Sequence, residues 1–438
     1  MISNYTTTGS LEHLSVKYQN IYIINGIFHY LALKSVDLPY VNKFTNQYPF
    51  RPEVKLFESE EQLQEYVRNL QNVEEIDLAA IGDNIWYGNI GHALWDGLYP
   101  LYVALVKFGY SESDFVPLFK DFQNRQTLAY EPTVRFAGKD IIDYLRIEDN
   151  KVLHLKTLVA GTGSTGNRVI NVNYTLYGEK EYKALSLFKN RLLSRYNLQS
   201  DKSINNPLKI IVIKNKRFTE KEEAVIRRVV EYYKTKASTV SIKYIDWYHG
   251  YSSFENQMKE VVDVDIHITG PGTGMMYMPL LKKGAVNINL GYIEHVQTNS
   301  ARPNLKIENT SRNDILIPGW MEQSVCAGAE YVNTLYYDRY TYNDLEYSPM
   351  IEIIEKGKSL VGTSTRDNLN IDALVFREYC RRSSNSEELC NYLTGIAFFI
   401  ELFINEHPKT LAGCCVDIEL LRQIKKEYNL NTEYTVKL

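Results

Sequence analysis

The sequence predicts an α/β protein in which a first α/β domain and a Rossmann-like domain precede a helical C-terminal stretch. Three observations carry that expectation. Strand-length apolar runs alternate with amphipathic helices through the middle of the chain, as a parallel sheet with right-handed crossovers requires. A glycine-rich turn closes one of these strands, and beyond about residue 340 the pattern becomes helical. With 438 residues there is material for two or three domains with sizeable cores.

The elements follow in chain order. Ser59-Glu-Glu-Gln62 is a capping box that opens a helix through Leu63, Tyr66, Val67 and Leu70. Ile76–Ile81 reads as a strand, and Leu94–Phe108 as an apolar helix interrupted at Pro100. Val152–Val159 is another strand and Gly178–Arg195 a helix, which completes a first α/β region. Leu208–Ile213, directly after Pro207, is a continuous apolar run suited to a strand buried on both faces. Glu220–Lys236 then sets Ala224, Val225, Val229, Val230 and Tyr233 on one helical stripe. Val240–Ile245 is a strand, Ser253–Val262 a helix with serine at its start, and Asp265–Thr269 a third strand. Gly270-Pro-Gly-Thr-Gly274 turns the chain into a short helix, Met275–Leu281, before a fourth strand at Ala285–Leu290. Helical patterns follow at 350–360, 371–380, 386–404 and 417–428.

Composition removes several classes of function. The 49 Lys and Arg against 53 Asp and Glu leave a formal charge of −4, so no basic field recruits nucleic acid or an anionic membrane. No charged segment followed by an apolar core opens the chain, and the longest apolar run, Gly395–Ile404, is too short to span a bilayer. The five cysteines (326, 380, 390, 414 and 415) are odd in number and lack paired zinc-ligand spacing. The expectation is a soluble, cytoplasmic protein with neither a disulfide framework nor a structural zinc. The 34 tyrosines against 16 phenylalanines stand beside abundant Asn, Ile and Lys, residues with AT-rich codons. That surplus fits an AT-rich genome, such as that of a large DNA virus or a low-GC microbe, with stacking on sugars as a secondary use.

Four segments are candidates for chemistry. In Asn89-Ile-Gly-His92-Ala-Leu-Trp-Asp96, a helix would make His92 and Asp96 i,i+4 neighbours. A carboxylate beside an imidazole fixes its tautomer and raises its basicity, the requirement for a general base, but the same pair can also simply pin a helix start. Gly272, Thr273 and Gly274 form a strand-to-helix turn whose amides and hydroxyl suit a diphosphate; a plain tight connection is the alternative. Arg217 follows the first strand of the same domain and so emerges at the same sheet edge, either as a phosphate ligand or as part of a solvated basic loop with Lys214 and Lys216. Glu294, with His295, lies just past the fourth strand, where an acid could bind ribose hydroxyls.

Two further matches carry less. Gly161-Thr-Gly163-Ser-Thr-Gly166 has the GxGxxG spacing, but a strand-like Asn-Arg-Val-Ile-Asn-Val follows where a dinucleotide site needs a helix. Asp263-Val-Asp265 has the DxD form of a metal-holding motif, yet it enters a strand at the sheet edge opposite the glycine-rich turn, which makes it structural.

Taken together these motifs resemble glycosyltransferase family 61, over about residues 80–330. The resemblance rests on Asn89, His92 and Asp96; on the apolar strand ending in Arg217; on Ser253-Phe-Glu255-Asn-Gln257; and on the Asp265–Gly274 strand and turn with Gly284-Ala-Val-Asn-Ile-Asn289. There are two departures: the family's turn usually carries a histidine that is absent from 270–274, and its acid after the Gly-Ala strand is Asn289 here unless Glu294 replaces it. The resemblance implies a GT-B-like architecture of two Rossmann-like domains facing a cleft, with a helical C-terminal tail. Its implied parts are an acceptor domain at 1–203, a nucleotide-sugar domain at 204–335 and a helical extension at 336–438. It also implies metal-independent, inverting transfer from a nucleotide sugar, a UDP-sugar foremost, to a hydroxyl of a glycan or glycoprotein. The donor is a substrate and no cofactor is expected. His92 and Asp96 would be catalytic, while Asn89, Arg217, Gly272, Thr273, Gly274 and Glu294 would bind the nucleotide sugar. The rival readings are a dinucleotide-dependent oxidoreductase built on 161–166 and a non-catalytic scaffold.

Overall fold

The computed structural model describes residues 2–8, 14–41, 50–82, 87–122, 127–148, 150–161, 179–200, 203–236, 238–250, 253–295, 314–317, 331–339, 342–363, 382 and 418–427. Most of the GxGxxG segment, all five cysteines and the expected helices at 371–380 and 386–404 lie outside the described residues. The chain forms two compact units, Met1–Ile170 with Tyr177–Asn197, and Asn171–Leu176 with Leu198–Leu438. Both are α/β, one built on a mixed sheet and the other on a parallel one. Among the described residues no helix is long and apolar enough to cross a membrane.

The first unit contains β1 (Asn4–Thr8), β2 (Ser15–Ile24), β3 (Ile27–Ala32), β4 (Glu53–Leu56), β5 (Val73–Ile81), β6 (Val116–Phe119), β7 (Ile142–Asp143) and β8 (Val152–Gly161). Their order is β4-β3-β2-β8-β5-β6-β7, with β1 on β2. Strands β8, β5, β6 and β7 run parallel, as a Rossmann-like domain requires, but β2 is antiparallel to β1, β3 and β8. The cause is local. Asn25 and Gly26, at φ 50° and 77°, make the doubly left-handed turn that folds β2 directly back into β3. The unit is therefore a mixed sheet and not a second copy of the parallel fold.

The helix from Glu60 to Asn69 starts where the capping box placed it, with Ser59 Oγ accepting from the Gln62 amide. Pro100 does not interrupt the next helix. Ile90–His92 is α-helical, Ala93–Leu98 widens into π-helix, and Tyr99–Lys107 resumes the α-helix with the proline in its first turn. Proline has no N–H for the carbonyl four residues back and its ring crowds that carbonyl, so the backbone passes it by i→i+5 bonding, as Tyr99 N–H to Leu94 O shows. Rings of this helix pack on the Glu179–Arg195 helix, with Trp95, Tyr99 and Tyr102 each about 5–6 Å from the Phe188 ring.

The second unit holds β9 (Leu208–Ile213), β10 (Val240–Ile245), β11 (Ile266–Thr269), β12 (Val286–Asn289), β13 (Tyr292–His295), β14 (Asp314–Ile317) and β15 (Asn333–Tyr336). Five of these form a wholly parallel sheet in the order β10-β9-β11-β12-β15, while β13 and β14 pair separately and antiparallel. On one face Ile210, Val212, Ile266, Ile268, Val286 and Ile288 share a core with the Glu220–Lys234 helix. The Tyr347–Leu360 helix, within the expected helical extension, sends Met350, Ile353 and Ile354 into this same core. Thr219 and Glu222 cap the 220–234 helix reciprocally. The segment after the glycine-rich turn is a 3₁₀-helix, Met275–Leu280, with Pro279 inside it.

Candidate functional site

Strand order decides where a ligand can sit on the second unit. Numbered along the sheet, the order is 2-1-3-4-5, so the chain leaves β9 and β11 in opposite directions and opens a crevice beyond their carboxyl ends. Arg217 follows β9 and the 270–274 turn follows β11, so the two candidates flank that switch point. The structure brings them into contact. Arg217 Nη1 donates to the Pro271 carbonyl at 2.6 Å, and Asn215 Nδ2 donates to the same oxygen at 2.7 Å. Asn215 Oδ1 in turn accepts from the Arg217 backbone amide at 3.0 Å, an Asx turn that shapes the loop. The guanidinium carbon lies 5.2 Å from the Tyr292 ring centroid. One guanidinium nitrogen is thus anchored, and a fork with five N–H donors retains others for an anion.

Asn215 was not singled out by the sequence reading, though an asparagine two residues before an arginine in a post-strand loop is a readable Asx signal. The turn itself is tight. Gly272 has φ 118°, and a Cβ there would stand 2.5 Å from Arg217 Nη1. Met275 and Met276 donate to the Gly272 and Thr273 carbonyls, opening the 3₁₀-helix. The expected short helix forms, but as a 3₁₀-helix rather than an α-helix. Any anion stabilisation here comes from the turn amides and Arg217, because six 3₁₀ residues with an internal proline align few peptide dipoles. Glu294 lies on β13, with its backbone opposite Ile315, in the separate two-stranded pair. We expect Gly272→Ala to cost about 1–3 kcal/mol in strain at the positive φ and to push Arg217 off the turn. A lowered melting temperature for the second unit, together with weakened pyrophosphate binding by calorimetry, is the check.

The DxD pair is held by protein cations and amides. Asp265, fully buried, accepts from the Lys209 amide at 2.7 Å and Asn205 Nδ2 at 2.9 Å, and it pairs with Lys282 Nζ at 2.7 Å. Asp263 pairs with Lys209 and with Lys282, the latter at 3.5 Å. Lysine 282 and Asp265 have given up water for each other, so removing either partner would leave a buried charge. Among the described residues no cluster of three or more His, Cys, Asp or Glu could hold a metal.

On the first unit, Asn89, His92 and Asp96 come together at the helix start. Asn89 is the N-cap, its Oδ1 accepting from the Gly91 amide at 2.9 Å. This gives its Oδ1 a structural task. His92 Nδ1 lies 2.5 Å from Asp96 Oδ2. The imidazole is 29% exposed and the carboxylate 3%, so the acid is buried behind a ring that meets solvent. A buried carboxylate on Nδ1 draws the ring proton to that nitrogen and puts the basic lone pair on Nε2. Short π-helical stretches recur at functional sites because the extra residue per turn re-aims side chains, and here the stretch begins immediately after His92. The arrangement can take a proton from a hydroxyl and spread the resulting charge between ring and carboxylate.

No family model matches the chain, and no curated protein matches it.

Proposed function

We propose that the protein is an inverting glycosyltransferase of GT-B type that moves a sugar from a nucleotide-sugar donor, a UDP-sugar foremost, to a hydroxyl of a glycan or glycoprotein. The observation that carries this reading is the contact between Arg217 and the 270–274 turn at the switch point of a 2-1-3-4-5 parallel sheet. Here a guanidinium and a run of turn amides converge where an α/β sheet binds phosphate groups. In this reading Arg217 and the turn hold the diphosphate and His92 is the base. His92 Nε2 takes the acceptor hydroxyl proton, the oxygen forms a bond to the anomeric carbon, and the bond from that carbon to the diphosphate breaks. The departing nucleoside diphosphate carries the electron pair, and Arg217 with the turn amides stabilises its charge. No metal is assigned to the reaction, since Lys209, Lys282 and Asn205 already occupy the DxD carboxylates.

A thermal-shift series with UDP, GDP, NAD and NADP tests the proposal. At one hundred times its dissociation constant, a ligand specific for the folded state adds about 2.7 kcal/mol. Stabilisation by UDP or GDP, followed by sugar release from the matching nucleotide sugar, is the expected result. Stabilisation by NAD or NADP alone would move the protein to the oxidoreductases. No response to any of the four would leave a scaffold.

A further inference from the structure

Arg217 meets the 270–274 turn alongside a neighbour from its own loop. Asn215 lies half-buried between β9 and the 220–234 helix, and its side-chain amide works in two directions. Its Oδ1 accepts from the Arg217 amide at 3.0 Å, and the Phe218 amide donates to the Asn215 carbonyl at 3.1 Å, so the loop is bent locally around Arg217. Its Nδ2 leaves the loop and donates to Pro271 O at 2.7 Å, 56 residues further along the chain. Gly270 permits so close an approach: a Cβ there would stand 3.0 Å from Asn215 Nδ2 and 2.7 Å from Phe218 Cζ.

The Pro271 carbonyl decides what Arg217 has left to offer. Pro271 is buried, and its oxygen has two lone pairs. Arg217 Nη1 takes one at 2.6 Å, and Asn215 takes the other. Without Asn215, a second guanidinium N–H could turn onto the same oxygen, and the fork would be spent on the protein. With it, Nη1 is the only guanidinium nitrogen hydrogen-bonded among the described residues, although Arg217 is exposed. The turn occupies the Nη1 side, since a Cβ on Gly272 would stand 2.5 Å from that nitrogen. Nε and Nη2 form the other edge, whose two parallel N–H groups match two oxygens of one phosphate group.

We infer that Asn215 is a positioning residue: by holding the Arg217 amide and one lone pair of the Pro271 carbonyl, it confines the guanidinium's structural contact to Nη1 and leaves the Nε–Nη2 edge to grip a phosphate group side-on. This rests on the reading of that crevice as a phosphate site. The arginine is thereby set before the ligand arrives, so binding does not have to order the loop.

The test uses the full chain, with inorganic pyrophosphate as the probe. Asn215→Ser keeps an acceptor for the Arg217 amide but is too short to reach Pro271, and it should bind pyrophosphate about tenfold more weakly, a loss of about 1.4 kcal/mol. Because Asn215 acts through Arg217, the double variant of Asn215→Ser with Arg217→Ala should bind within about twofold of Arg217→Ala alone. In side-chain ¹⁵N spectra of the unmodified protein, pyrophosphate should move the Arg217 Nε and Nη2 signals and leave Nη1 in place. Equal binding by Asn215→Ser and the unmodified protein overturns the inference, as do losses that multiply in the double variant or a shift confined to Nη1. If the unmodified protein binds no pyrophosphate, or Arg217→Ala binds it equally well, the phosphate reading falls, and the ligand-free spectra decide the positioning role. A separate Nη1 signal that merges with that of Nη2 in Asn215→Ser supports it; the same spectrum in both proteins overturns it.

Discussion

Replacing His92 by alanine should lower sugar transfer by about 10²–10⁴-fold, the range general-base catalysis supplies, with the donor-binding strength left nearly unchanged. The separation is expected because His92 belongs to the first unit and the proposed diphosphate ligands to the second. The ring is only partly buried and lies at the start of the π-helical turn, so its loss opens no large core cavity. A thermal melt distinguishes a chemical effect from an unfolded variant. Asp96→Asn should be slower too, by a smaller factor, since the amide can still accept from Nδ1–H but no longer offsets the charge that the ring gains. A folded His92→Ala protein with near-full turnover would remove this residue from the mechanism and leave the pair as a helix pin.

The largest stability effect is expected at Arg339. Its side chain is 1% exposed and pairs with the carboxylate of Glu222, which is also buried. The guanidinium further donates to the carbonyls of Leu290 at 2.7 Å, Asn343 at 2.9 Å and Gly291 at 3.2 Å. Arg339→Met keeps much of the side-chain bulk but strands a buried carboxylate and three carbonyls, at a cost of about 3–5 kcal/mol. That is a large share of the ~5–15 kcal/mol by which domains are typically stable. The readout is the urea midpoint of the second unit, followed separately because a two-unit chain is not required to unfold in one step. Adding Glu222→Gln to Arg339→Met should recover part of the loss, because the stranded charge disappears while a glutamine can still serve the Thr219 capping box. A single variant within about 1 kcal/mol of the parent would mean that water reaches Glu222. The same substitution should loosen Tyr292, which follows the anchored Leu290 and Gly291 carbonyls and lies beside Arg217.

The second unit was the more legible half, for a physical reason. Its central strands are buried on both faces, β9 reading as a continuous apolar run, while the edge strand β10 alternates buried and exposed positions. Leu208–Ile213 and Val240–Ile245 appear as expected, Ile266–Thr269 starts one residue later than expected, and Val286–Asn289 is one residue shorter at each end. In the first unit β1 to β4 went unread. Strand β2 changes the phase of its buried positions at Asn20, whose φ of 57° falls between the stretch paired with β1 and the stretch paired with β3. That break hides the period-two pattern, although Asn25-Gly26 was in plain view as a hairpin turn. Strand β15 was missed as well, because Asn333-Thr-Leu-Tyr336 is too short and too polar to stand out from a loop.

What the sequence determined by itself was whatever depends on neighbours along the chain. The π-helical dyad was legible because His92 and Asp96 are four residues apart, the Ser59 cap because its partner is three away, and the glycine-rich turn because it directly follows a strand. Only the tertiary structure decided which segments meet across long separations. It put β9 between β10 and β11, and so set Arg217 against a turn 54 residues further on. It paired Arg339 with Glu222 across 117 residues, and it packed the Tyr347–Leu360 helix into the core of the parallel sheet. Periodicity reports which face of an element is buried, and it is silent about what buries it. Partner choice is settled by the packing of the whole sheet, where each strand's neighbours depend on every other crossover.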